Sequence, residues 1–503
     1  MRKSQSEGTI VAPRATRRAL LRGAAGIGLA VGALPLLAAC GGTTAASPGS
    51  TGASSAASAQ SAAPASSAAA TSAAAPAASQ QSAASAAATS RPAQLSGTFT
   101  TLGWGDIAYQ QAMLDGYQKA FPDKVGSLKF TADGAKAEGD VLTKVLAAWA
   151  AKTDVPDIFQ QNAPTVPQLI DQSVLAPLDQ LITPHKDVFA PDLLAALSAN
   201  GHPYALPWRP NTWMLFYRRD LLSDAGIDPA SLTSWTAYMD AGQKYAQKTG
   251  GKTWLTYVPT NNSNGQPLEF FMNGLKVSFY GADGTSAAGK DPNMLKALQS
   301  YEQLLKTKTA EARSEWDAPW YTAIKNGEFA TMPSAVWLDN TLKGQAPELS
   351  GKWGIMAMPG FSDGSPTHGF QQGSPVLMVS GSSNYADLAQ SILEYQYLTK
   401  DRVLEVAKQR LAAKQGIFPP LIQDVLSDPM FSTPDPYYGG VKFFELNLQL
   451  AQNGVTMRFS KDFAQTLKIY DAHLDSISAG KETADQADAA IAKEIAAKIG
   501  TSK

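Results

Sequence analysis

From Leu95 onward the chain alternates two hydrophobic periods, and that alternation limits the folds open to it. Leu95–Leu102 reads as a strand that runs into Gly103-Trp104-Gly105-Asp106. A helix follows, with apolar residues at Met113, Leu114, Tyr117, Ala120 and Phe121, and Pro122 stops it. Val125–Thr131 is a second strand. Gly139–Ala151 is a second helix, carrying Val141, Leu142, Val145, Leu146 and Trp149, and Val155–Phe159 is a short buried strand. Strand–helix–strand–helix–strand order requires crossover connections, hence a largely parallel sheet covered by helices. Further helices are expected near 235–248, 291–307, 384–398 and 400–413, and the last sixty residues are mainly helical.

The first 94 residues obey different rules. Residues 41–90 hold 22 Ala and 13 Ser, with no charged and no aromatic side chain. Such a tract cannot bury enough apolar surface to offset the entropy of ordering it. A linker over 41–94 would span about 40 Å as a flexible coil. Ahead of it, Arg17-Arg18 precedes Gly23–Ala39, a stretch without charge that contains four Gly and one Pro. A spanning helix wants about 20 strongly apolar residues, so a signal segment fits better. The stretch ends Leu37-Ala38-Ala39-Cys40-Gly41, which resembles the bacterial lipobox, and the twin arginines resemble a Tat export signal. The expected organisation is therefore a signal peptide over 1–39, then a lipidated Cys40 with the Ala/Ser linker to 94.

Composition excludes several functions. The formal charge is −1, and six Lys/Arg against one Glu before Cys40 leave the rest near −6, which argues against a nucleic-acid partner. One cysteine rules out intramolecular disulfides, cysteine-rich zinc sites and iron–sulfur clusters, and four scattered His offer little for a metal. No G-x-S-x-G, HExxH or C-x-x-C motif occurs. Gly250-Gly251-Lys252-Thr253 ends like a phosphate loop, but Ala246 stands where the first Gly belongs. No cofactor and no metal are expected.

Several stretches resemble a known family in the right order. Asp154-Val155-Pro156-Asp157-Ile158-Phe159 is followed by Ser173-Val174-Leu175-Ala176-Pro177-Leu178-Asp179, then Tyr204-Ala205-Leu206-Pro207 and Leu215-Phe216-Tyr217-Arg218-Arg219-Asp220-Leu221. Ala225-Gly226-Ile227-Asp228, Thr233-Ser234-Trp235, Asn326–Met332 with Trp337 beyond, and Trp353-Gly354-Ile355 through Met358-Pro359-Gly360 complete the set. Together they resemble the extracellular solute-binding proteins of bacterial ABC importers, in the group of the maltose-binding and other sugar-binding proteins. Ser173 and Arg218 depart from the usual Gly and Asn.

The resemblance implies an α/β, two-lobe periplasmic-binding-protein fold, each lobe a mostly parallel sheet flanked by helices, with the ligand cleft between them. The first lobe is expected over 95–206 plus 360–398 and the second over 208–355 plus 402–503. It implies a monomer on the outer face of the cytoplasmic membrane. The protein would capture a small solute by hinge closure and pass it to the permease subunits of an ABC importer.

The residues suit a mono- or oligosaccharide. Pyranose rings pack their C–H faces on aromatic rings, and their hydroxyls need polar partners. All ten Trp lie between 104 and 353. Trp149, Trp235 and Trp353 read as core. Trp104 and Asp106 follow the first strand, and Gln160, Gln161 and Asn162 follow the Pro156–Phe159 strand. Trp208, Arg209 and Asn211 follow the Pro207 crossover, and Trp337, Asp339 and Asn340 follow the Ala330–Met332 strand. These are the candidate ligand contacts. Trp320 and Tyr321 read equally well as helix packing, and Thr260–Gln266 is a polar loop at the expected rim. Asp106 and Asp339 facing each other could instead serve a surface-tethered glycoside hydrolase or lyase. A structural or adhesion lipoprotein is the other alternative.

Overall fold

In the computed structural model, the described residues are 95–105, 107–260, 265–281, 283–361, 374–413, 415–451 and 457–500. The signal segment with Arg17 and Arg18, Cys40, the Ala/Ser tract, Asp106 and most of the Thr260–Gln266 loop lie outside them.

Apart from a short hairpin of Ser198–Ala199 with His202–Pro203, the described strands are β1 (Ser96–Trp104), β2 (Ser127–Ala135), β3 (Ile158–Asn162), β4 (Leu206–Pro207), β5 (Trp213–Arg218), β6 (Thr256–Pro259), β7 (Ala310–Arg313), β8 (Thr331–Ala335), β9 (Trp353–Met356) and β10 (Pro375–Val379). One sheet has the order β2-β1-β3-β10-β4. Around it pack Phe99, Leu114, Tyr117, Ile158, Val379 and Ile392 on one side and Val141, Val145, Phe159, Leu169 and Met378 on the other. A second sheet has the order β8-β5-β9. The parallel pair β6–β7 extends it, because Thr331 N–H donates to Leu255 O at 2.7 Å and Ala330 N–H to Trp254 O at 3.2 Å.

Each sheet holds one strand that runs against the rest. β1 pairs parallel with β2 and β3, but β10 is antiparallel to both β3 and β4. In the second sheet β5 is antiparallel to both β8 and β9. The cause is where the chain enters each sheet. β5 follows the crossover Trp208–Thr212, and β10 follows the return from the second sheet. A strand that starts at the shared edge can only run away from it. The other four strands of each sheet run toward that edge. The ladder also extends further than sequence suggested, so that Gln160, Gln161 and Asn162 belong to β3, opposite Leu377, Val376 and Pro375.

The helices form where the periodicity places them, at Trp235–Thr249, Pro292–Lys306, Ala386–Leu398 and Lys400–Ala412. Phe443–Ala451, Phe463–Ser478 and Ala484–Lys498 make the C-terminal end helical. The helix Trp235–Thr249 shows why. Ser234 Oγ caps it by accepting from Ala237 N–H at 3.1 Å, and Gly250 ends it at φ +64°. Its buried face carries Trp235, Tyr238, Ala241, Gly242 and Tyr245. Tyr238 bonds Thr331 Oγ1 in β8, which anchors the helix to the sheet.

Gly242 sits mid-helix, where glycine costs about 1 kcal/mol against alanine. Its place follows from close packing, since a Cβ there would stand 2.6 Å from Thr309 Cβ. Gly242→Ala is therefore expected to destabilise the fold by about 1–3 kcal/mol despite its better helix propensity, measured by urea unfolding.

Glu269, on the helix Gln266–Leu275, is the odd member of the second core. It is 4% exposed, and its Oε2 is enclosed without a hydrogen bond. Burial pushes its carboxyl well above the usual 4.5. The folded state then holds the proton more tightly than the unfolded chain. This group's contribution to stability is full below about pH 4.5 and is lost as pH rises through the raised value. Glu269→Gln should gain on the parent in melting temperature as pH goes from 4.5 to 8. A gap that does not widen with pH would contradict this.

Candidate functional site

The carboxyl ends of the first sheet's strands lie side by side. Trp104 is opposite Ala135, Asn162 opposite Pro375, and Trp208 N–H donates to Pro375 O at 3.3 Å. Ligands in α/β sheets bind beyond such ends. The edge therefore brings together three of the regions read from sequence: Trp104, the Gln160–Asn162 run, and Trp208 with Arg209 and Asn211.

Their environments differ. Trp104 is half-buried and packs on the first core. Gln160 is buried, and Gln161 is fully buried with Nε2 donating to Glu138 O at 3.0 Å. Asn162 is half-buried, and its backbone N–H and Nδ2 both donate to the Glu138 carboxylate. Burial pushes that carboxyl up to about 7, against the pull of the two Asn162 bonds. Glu138 was not among the sequence candidates. It opens the helix Glu138–Ala151, and only the fold sets it beside Asn162.

Trp208 and Arg209 form an aromatic–cationic block with Phe418. The Trp208 and Phe418 rings meet edge to face at 5.2 Å, and the Arg209 guanidinium carbon is 5.0 Å from each ring centre. Arg209 Nη1 donates to Asn211 Oδ1 at 3.2 Å. Burial lowers the guanidinium to about 9.

The second sheet presents β6, β7 and β8 by the same rule. After β8, Trp337 sits at the start of the helix Leu338–Gln345, half-buried against the second core. After β7 comes Trp316, which sequence reasoning passed over. It is 54% exposed and adopts φ +66°, a left-handed conformation that costs a bulky residue about 1–3 kcal/mol. Its ring lies 5.0 Å from Trp337 and 5.2 Å from Trp320. The signal was available: Asp317 is followed by Ala318-Pro319, and its side chain caps the next helix by accepting from Trp320 N–H at 2.8 Å. That cap leaves Trp316 outside the helix. Trp320 is fully buried, so helix packing accounts for it. Glu315 accepts from Tyr257 Oη at 2.5 Å, and burial pushes its carboxyl up to about 7.

Asp339 does not stand as the open hydroxyl acceptor expected of it. It is 3% exposed, and its Oδ1 accepts from Lys343 Nζ at 2.7 Å and from Tyr438 Oη at 2.8 Å. Lys343 also meets Asp435 at 2.6 Å. The segment at Gly416 covers its other oxygen, since a Cβ there would lie 3.2 Å from Asp339 Oδ2. That segment continues into Phe418, so the start of the Leu338–Gln345 helix and the Trp208–Arg209 block share one neighbour. Phe459 packs on both cores, and Lys461 lies 3.7 Å from Asp171.

Among the described residues, no group of three or more His, Cys, Asp or Glu is placed to hold a metal ion. No described helix is long and apolar enough to cross a membrane. The arrangement offers aromatic faces and hydrogen-bonding side chains on two sheet edges.

Comparison with known proteins agrees with this geometry. The arabinooligosaccharide-binding protein of Bacillus subtilis is 24% identical over 401 residues, 78% of this chain and 89% of that one. The arabinooligosaccharide-binding protein of Halalkalibacterium halodurans is 23% identical over 318 residues, 61% of this chain and 68% of its own. Among solved structures, the ABC transporter associated binding protein of B. animalis subsp. lactis, in complex with β-1,6-galactobiose, superposes with TM-score 0.67 at 19% identity. That match covers 80% of this chain and 98% of the other, which establishes the two-lobe sugar-binding-protein fold. The bacterial extracellular solute-binding family matches residues 112–434, and the chain belongs to that family.

Proposed function

We propose that this protein captures an oligosaccharide in the cleft between two lobes, 95–206 with 360–398 and 208–355 with 402–503, and delivers it to the permease of an ABC importer. The observation that carries this reading is the Trp316–Trp337 pair. An exposed tryptophan held in a strained backbone, packed at 5.0 Å and tilted against a second one beyond the carboxyl ends of β7 and β8, is a platform for the apolar face of a sugar ring. Trp104 and Trp208 supply aromatic surface on the facing edge. Asp106, Gln160, Asn162, Arg209 and Asn211 supply hydroxyl partners, while Gln161 and Asp339 hold the site's scaffold.

Three relatives support the ligand class, being named for arabinooligosaccharide and lactose, and a structural neighbour holds a galactobiose; a fourth relative is named for sn-glycerol 3-phosphate. The protein binds its solute and does not transform it. Closure follows from contacts in both lobes, because only a ligand with higher affinity for the closed state shifts the equilibrium toward it. Export through the Arg17-Arg18 signal, lipidation at Cys40 and the 41–94 linker keep the monomeric binding unit tethered outside the cytoplasmic membrane.

Calorimetry against arabino-, galacto- and gluco-oligosaccharides tests the reading. Trp316→Ala and Trp337→Ala should each weaken binding by about 2 kcal/mol, roughly 30-fold. Trp316 is the cleaner test because it is exposed. Unchanged affinity in Trp316→Ala would reject the stacking platform, and release of shorter products from any oligosaccharide would reject a pure binder.

A further inference from the structure

Among the described residues, Arg209 has no anion of the kind that Arg218, Arg402 and Arg313 have. Arg218 is paired with Asp220 at 2.7 Å, Arg402 with Glu405 at 2.9 Å, and Arg313 with Glu328 at 2.7 Å. Among the described residues, the Arg209 guanidinium donates to the neutral Asn211 oxygen alone, and its Nε is enclosed without a hydrogen bond. The neighbouring Trp208 Nε1 is likewise enclosed and unpartnered. Two neighbouring N–H donors, one on the guanidinium and one on the indole, are thus enclosed without a partner where Arg209 rests against both rings. Leaving a buried donor unmade is costly, and a buried cation without an anion more so. The rings compensate part of the charge through cation–π attraction but accept neither N–H. This block follows β4 directly, at the strand edge where the solute binds on the reading above.

We propose that the solute is an acidic saccharide, whose carboxylate or phosphate group is received by Arg209 together with Trp208 Nε1. The inference rests on the saccharide-binding reading and narrows it. A guanidinium suits such a group because its fixed fork of donors matches the oxygens of a carboxylate or phosphate. The cavity beside the block is lined by Tyr109, Trp208, Tyr397, Arg410 and Phe418 and has about 50 Å³ of free space. That volume suits a water molecule or two, not a sugar ring. A sugar ring therefore stays outside that cavity, with its charged group turned to the Trp208–Arg209 block.

The test is calorimetry on the purified protein with matched neutral and acidic probes: galactobiose against digalacturonate, glucose against glucuronate, and glucose 6-phosphate. The acidic member of at least one pair, or the phosphate, should bind about tenfold or more tighter than its neutral counterpart. That preference should shrink as salt is raised. In Arg209→Gln the acidic-to-neutral ratio should fall to about threefold or less, and Arg209→Lys should keep part of it. The comparison on the parent protein does not depend on the variants folding. Tight binding of the phosphate alone would support the site and identify its group as phosphate. Neutral members binding as tightly as their acidic partners would overturn the inference and leave the oligosaccharide reading standing. Binding by no saccharide in the panel, neutral or acidic, would overturn that reading itself and this inference with it.

Discussion

The architecture depends on how the chain crosses between its two sheets. Each crossing delivers a strand to the shared edge, β5 into one sheet and β10 into the other, and each must run away from that edge. These two strands are antiparallel to their neighbours, and the others point toward the edge. All the loops that leave those carboxyl ends then gather at one place. Trp104, Asn162 and Trp208 lie along that edge of one sheet, and Trp316 and Trp337 pack together beyond the strands of the other. A binding site built on such ends draws its parts from segments far apart in sequence, because rigid strands position them.

The side chains divide into those that contact a solute and those that hold the first group still. Asp339 belongs to the second group, since Lys343, Tyr438 and the backbone at Gly416 enclose its carboxylate. Glu138 acts alike on the opposite edge by accepting both N–H groups of Asn162. The tryptophans and Arg209 are less fully used by the fold. Trp316 holds an exposed ring in a strained backbone, and among the described residues the Arg209 Nε and Trp208 Nε1 groups have no hydrogen-bond partner. Features a fold does not need for its own stability are where a ligand does its work.

The sequence was legible where periodicity and capping act locally. The bounds of the helix Trp235–Thr249 follow from Ser234, its apolar spacing and Gly250, and Trp235 and Trp353 are buried as expected. Local pattern could not show that β3 continues through Asn162, since β10, which pairs with it, lies over two hundred residues away. The enclosure of Asp339 was partly legible, because Lys343 stands four residues on, at ion-pair spacing on a helix. Its second partner, Tyr438, was not foreseeable from the spacing. Trp316 stands outside the stretches that carry the family resemblance, and its one local signal is the Asp317 cap that excludes it from the next helix.

The central claim is that one saccharide touches both lobes and draws them together. Small-angle X-ray scattering of the purified protein, without ligand and saturated with an oligosaccharide it binds, tests that claim most directly. A smaller radius of gyration in the saturated sample is the predicted result. An unchanged radius at saturation would contradict the account, because the ligand would then be held without lobe closure.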